Sequence, residues 1–115
     1  MKKQDKVIFC SISDISPVST SHGVGEKRII ACADSVGEPF TQIAKTVLKT
    51  GDYVDVHTHP TMSEHFFILE GKCIVFVGDK EYPCCSGDYL FLPADVPHSI
   101  SVLIETTMIT IGVAC

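Results

Sequence analysis

The sequence predicts an all-β fold, a sandwich or barrel in a single domain over residues 1–115. Three observations predict it. Short segments rich in Val, Ile, Phe, Tyr and Thr recur along the chain, turn-forming residues punctuate them evenly, and no stretch carries a helical period. A chain of 115 residues has the size of one domain, and folding would take roughly two-thirds of its extended surface out of water. A core of that size stands without disulfide staples.

Strands are expected at 7–12, 28–33, 43–48, 53–58, 66–70, 73–77, 80–84, 89–92, 98–102 and 107–113, each near the common length of about 5–6 residues. The stretch 39–49 is the nearest to a helix. Thr41, Ile43, Thr46 and Val47 are β-branched and lower its helix propensity, so it reads as loop then strand. Glu70-Gly71-Lys72 and Val77-Gly78-Asp79 carry turn chemistry and divide 66–83 into three strands of a tight meander. Repeats, linkers and low-complexity tracts are absent.

Composition excludes several function classes. The apolar fraction of 45% and mean hydropathy of +0.27 argue against disorder. No run approaches the ~20 apolar residues of a membrane helix, and the N-terminal stretch lacks a continuous apolar signal region, so a cytoplasmic protein without membrane contact is expected. The formal charge of -5 is opposite to the basic footprint of phosphate-backbone binding, so nucleic acid is not an expected partner. The six cysteines, Cys10, Cys32, Cys73, Cys84, Cys85 and Cys115, are expected to be reduced in that compartment. Cys73 reads as a small buried hydrophobe, and the vicinal Cys84-Cys85 lacks the spacing of a redox or zinc motif.

The chemistry gathers at three histidines and one glutamate. His57 and His59 are two apart on an expected strand, so both imidazoles leave one face. Glu64 follows the Pro60-Thr61-Met62-Ser63 turn, and an antiparallel return would set its carboxylate opposite the pair. His98, after Pro97, would close the site from a later strand. Three neutral imidazoles and a carboxylate suit divalent Fe, Mn, Ni, Co or Zn, and an octahedral ion so held keeps two positions open for water or substrate.

Residues 51–71 resemble the first motif of the cupin superfamily. Gly51, five residues, His57-Thr58-His59, four residues, Glu64, six residues and Gly71 match it at every fixed position. Residues 87–102 are similar to the second motif through Gly87, Pro93 and His98, with Asp95 where glycine is usual and Val102 where asparagine is usual. Asp tolerates turn conformations better than most residues, and Val102 leaves the ligand set untouched. The resemblance implies a double-stranded β-helix jelly roll with a metal or small-molecule site inside the barrel.

Inward strand parity on that fold places Tyr53, Asp55, Phe66 and Ile68 toward the interior. Phe66 and Ile68 then belong to the core, while Tyr53 and Asp55 are candidate catalytic groups that would hydrogen-bond substrate or orient a ligand. His65, Phe67 and Leu69 face outward, an apolar face that predicts a homodimer. His22, in Ser21-His22-Gly23-Val24-Gly25, reads as a loop residue. The metal motif contains no Arg or Lys to clamp a phosphate or carboxylate.

The fold hosts unrelated functions. The expected partner is a small molecule, and the favoured expectation is a metal-dependent enzyme, an oxygenase or a sugar or keto isomerase, on a small polar substrate. A binding or storage module and a detached sensor domain are the alternatives.

Overall fold

Two long runs rich in β-branched and aromatic residues, Met62–Val77 and His98–Ala114, pair along their length and form the axis of the fold. A computed structural model describes residues 9, 11–36 and 40–114. A 3-10 turn at Ile12–Asp14 precedes β1 (Val18–Ser19), β2 (Glu26–Cys32), a one-turn α1 (Ala33–Val36), β3 (Phe40–Leu48) and β4 (Tyr53–His57). After these come β5 (Met62–Val77), β6 (Lys80–Cys85), β7 (Tyr89–Leu92) and β8 (His98–Ala114).

All pairings are antiparallel, and they resolve into two layers that share β5 and β8. One layer runs β1, β2, β3, the second half of β8, the first half of β5, then β7. The other runs β4, the first half of β8, the second half of β5, then β6. Both long strands therefore cross from one sheet to the other, which gives the jelly roll expected above. Leu48, Phe66, Ile68 and Met108 from the first layer meet Val54, Cys73, Val75 and Ile100 from the second in one buried cluster. Each such side chain contributes about 1.5–3 kcal/mol of transfer free energy.

Four strand expectations are corrected. Glu70-Gly71-Lys72 is not a hairpin but a bend inside β5, with register shifts on both sides of Glu70 and again at Lys72. Gly71 has φ +101, and a Cβ there would run into the Glu105 carbonyl and Thr106 of β8. A glycine at positive φ serves a turn or a bulge equally well, and only the neighbouring β8, paired with both halves, makes this one strand. For the same reason 98–102 and 107–113 are parts of one strand. The meander has a single turn, at Gly78-Asp79, where Val77 faces Lys80.

Of the expected strand 7–12, residues 7, 8 and 10 lie outside the described ones. Ile12 opens the 3-10 turn, closed by Asp14 N–H to Ser11 O and Ile15 N–H to Ile12 O, both 3.0 Å. Ala33, expected to end a strand, begins α1. Cys73, Cys84 and Cys85 are free thiols, and Cys73 is fully buried as a core residue.

Candidate metal centre

Each of the four predicted ligands comes from a different place in this topology. His57 ends β4, His59 lies in the link to β5, Glu64 enters β5 and His98 opens β8. His57 and His98 are direct cross-strand partners in the second layer, whereas Glu64 stands on the first. The site therefore bridges the two sheets where they diverge. One ligand atom from each residue lies within 4.8 Å of all the others. Opposite ligands of an ion at 2.0–2.2 Å are about 4–4.4 Å apart, so only small adjustments bring the four onto one centre.

Backbone carbonyls orient two of the rings. His57 Nδ1 lies 2.8 Å from Asp55 O and His98 Nδ1 lies 2.9 Å from Val96 O. A carbonyl only accepts, so each Nδ1 carries the proton and donates it, which leaves Nε2 as the ligating nitrogen. His59 is held through its backbone: Asp95 N–H donates to His59 O at 3.0 Å. Asp95 stands at φ +66, the left-handed conformation that explains why glycine is usual there. Val102 is buried, and its backbone joins the Gly51-Asp52 turn through Gly51 N–H to Val102 O and Val102 N–H to Asp52 O, both 2.9 Å.

Glu64 Oε1 lies 3.2 Å from His59 Nε2 and 3.3 Å from His98 Nε2. Burial works against charge on Glu64, but His98, His59 and His57 outweigh it and hold its pKa below the ordinary 4.5. Burial also opposes charge on His98, and there the Glu64 carboxylate and the Val96 carbonyl win, so its pKa rises above 6.5. His59 moves down, because burial and its histidine neighbours exceed the pull of Glu64.

Glu64 Oε1 and His98 Nε2 are both buried and neither has a hydrogen-bond partner. While His98 is neutral with its proton on Nδ1, two lone pairs face each other across 3.3 Å, a contact that a second proton on Nε2 or a bound cation relieves. Burying unpaired acceptors is costly, and a cation between them removes that cost. The donor set, three imidazole nitrogens and a carboxylate oxygen, fits a divalent transition ion.

Tyr53 and Asp55 do not join the site. Val54 is 0% exposed and Tyr53 50% exposed, and Asp55 also faces solvent. The register of β4 against β8 slips between Val54 and His57. That irregularity breaks the alternation, so His57 turns inward although Tyr53 and Asp55 point away. The inward placement expected for these two residues is thus corrected. Phe66 and Ile68 are buried, and Phe67 and Leu69 exposed, as expected.

Three of the four predicted ligands, His57, His59 and Glu64, line a cavity whose polar lining also includes His22, Lys27 and Gln42. The cavity encloses about 650 Å3 of non-atom space counting its open mouth, against a wall that includes Leu48, Phe66, Ile100 and Met108. His22 does lie in a loop, but that loop folds over the barrel mouth and sets its ring centroid 5.8 Å from that of His57. Gly23 and Gly25, at φ +83 and +75, permit the fold-back and were its only sequence signal. Burial, then the charge of His57, lowers the His22 pKa. Lys27 and Gln42, on β2 and β3, gave no signal.

A barrel of two sheets sharing their long strands, with this His and Glu quartet at its open end, defines a jelly roll with a candidate metal site. The family model described as a cupin domain matches residues 44–111, and the chain belongs to that family. It is 30% identical over 90 residues to quercetin 2,3-dioxygenase of Bacillus subtilis, a match covering 72% of this chain and 27% of that protein. It spans less than half the length of the curated relatives it matches. A structure from Thermotoga maritima, described as a predicted oxalate decarboxylase, superposes with TM-score 0.80 at 22% identity, covering 94% of this chain and 100% of that one. Ectoine synthase from P. lautus superposes with TM-score 0.82 at 18% identity, covering 93% and 78%.

Proposed function

We propose that this cupin holds one divalent transition ion through His57, His59, Glu64 and His98 and acts as a metal-dependent enzyme on a small polar substrate, of the oxygenase or sugar/keto isomerase class. The observation that carries the reading is the buried, partnerless pair of Glu64 Oε1 and His98 Nε2 at 3.3 Å. When bound, the ion would supply Lewis acidity and, if redox-active, electrons for dioxygen chemistry. The likeness to quercetin 2,3-dioxygenase supports the oxygenase arm.

The chain's own residues supply the rest. Leu48, Phe66, Ile100 and Met108 exclude water on one side of the cavity. His22, kept neutral, stands beside the ligand cluster as the proton-transfer residue. Elemental analysis of untagged protein, followed by oxygen-consumption and isomerase assays with the metal found, tests the reading. Near-stoichiometric metal in wild type and its loss in His57→Ala/His98→Ala are expected, with His22→Gln lowering turnover at full metal content. Metal persisting in the double variant would refute the site. A binding module without turnover is the second reading, favoured by Tyr53 and Asp55 facing solvent instead of the cluster.

The outer face of the first layer supports the homodimer. Cross-strand rows Phe91, His65, Ile111, Ile43 and Tyr89, Phe67, Ile109 form a band across it. Phe67, Leu69, Tyr89 and Phe91 remain roughly half exposed, so covering each is worth about 0.7–1.5 kcal/mol. Light scattering should give a dimer for wild type and a monomer for Phe67→Glu; a wild-type monomer at tens of micromolar would refute it.

A further inference from the structure

Beside the candidate metal ligands, the polar lining of the cavity includes Lys27 and Gln42. Lys27 on β2 is the cross-strand partner of Thr46 on β3, and both line the cavity. Among the described residues Lys27 forms no ion pair, although Glu64 stands on the same cavity wall. Gln42 lies in one cross-strand row with Gly112 and Glu64, and its buried Oε1 has no hydrogen-bond partner. Thr46 does not serve either group, since its hydroxyl is engaged with Thr110 Oγ1 at 3.2 Å.

A buried acceptor without a donor is unfavourable unless a ligand completes it, and four residues further along β3, across from Thr46, the partly buried Lys27 offers a cation with no ion pair among the described residues. Charge points the same way. Among the described residues Glu64 is the only acid lining the cavity and Lys27 the only Lys or Arg, so a divalent ion leaves the interior positive and an anionic ligand reduces that charge. Among the described residues no arginine and no helix N-terminus of useful length faces the cavity to grip a phosphate in the bidentate manner that anion favours. A single ammonium matches a carboxylate.

We propose that Lys27 and Gln42 form a recognition subsite for a small hydroxylated carboxylate. The ligand carboxylate accepts from the Lys27 ammonium, and a ligand hydroxyl donates to Gln42 Oε1. This deepens the function proposed above and rests on it only for the end of the ligand that reaches the ion. The Lys27 contact exists with or without metal.

Two matched probe pairs test it, gluconate against sorbitol and lactate against propane-1,2-diol, read by ligand-observed NMR on zinc-loaded and on metal-stripped protein. A charge-assisted hydrogen bond in a half-buried site predicts that at least one acid binds tighter than its neutral partner by about 10-fold to 100-fold. Lys27→Met should abolish that preference without changing zinc content or the affinity of the neutral probe. Gln42→Leu should weaken both members of the pair. No preference for the acid in either pair, or a Lys27→Met variant within twofold of wild type for the preferred acid, overturns the subsite. A protein that takes up none of divalent Fe, Mn, Ni, Co or Zn but retains a Lys27-dependent preference overturns the metal reading alone, and a zinc-bound protein without that preference overturns this inference alone.

Discussion

Acidification should strip a divalent ion from this site, and His98 sets where the loss begins. Imidazole ligates only when neutral, so each ring whose pKa exceeds the pH adds one competing proton. His98 is buried against Glu64 and Val96, and its pKa lies above 6.5. Competition therefore starts above the ordinary histidine range. His59, with its lowered pKa, competes later, and the depressed Glu64 stays ionised below pH 4.5. One competing proton costs a factor of ten per pH unit, about 1.4 kcal/mol. Apparent affinity should thus fall by more than about tenfold between pH 7.5 and 5.5.

Chelator competition at several pH values measures this, with His98→Gln as the comparison. That variant should bind more weakly at pH 7.5 and show a shallower slope. In metal-free protein the sign reverses for the His98 contribution. A raised histidine pKa gives stability that is full below 6.5 and lost as pH rises through the folded value. Glu64 gives stability present above 4.5 and lost as pH falls through its lowered value, while His59 and His22 act against His98 below 6.5. The stability gap between wild type and His98→Gln should accordingly narrow from pH 5.5 to 8 in chelator and widen with metal. Equal metal affinity at pH 7.5 and 5.5, or a wild-type slope in His98→Gln, would refute the assignment of His98 Nε2 as a ligand.

Asp95→Gly should fold with stability equal to wild type or up to about 1 kcal/mol higher, because relief at φ +66 is partly offset by the freer unfolded chain. Asp95→Val should lose about 2 kcal/mol and weaken metal binding through the His59 link, both measured by urea melts and chelator titration. Gly71→Ala, at φ +101 against the β8 backbone, should cost about 2 kcal/mol or more in the same melts. Tyr53→Phe and Asp55→Asn face solvent and should keep metal content and any turnover within about twofold, under 0.5 kcal/mol.

Much of this protein was legible before folding because the informative signals are local. His57, His59 and Glu64 fall within eight consecutive positions, so spacing and a turn suffice to bring them together, and Gly87 to His98 marks the second approach. Alternation along β5 likewise sorted Phe66 and Ile68 from Phe67 and Leu69. The misreadings share one cause. Gly71 looks the same in a turn and in a bulge, and the slip between Val54 and His57 leaves no trace in the residues themselves; both are settled by β8, from another part of the chain. His22, Lys27 and Gln42 reach the cavity only because a loop folds back and β2 and β3 extend the first layer, so their chemistry depends on strand order. Local pattern was enough for the all-β class, the jelly-roll motifs and the gathering of His57, His59, Glu64 and His98. Which faces point inward beyond each bulge, and which distant side chains complete the cavity, was decided by tertiary pairing, because those contacts join residues whose separation along the chain carries no periodic signal.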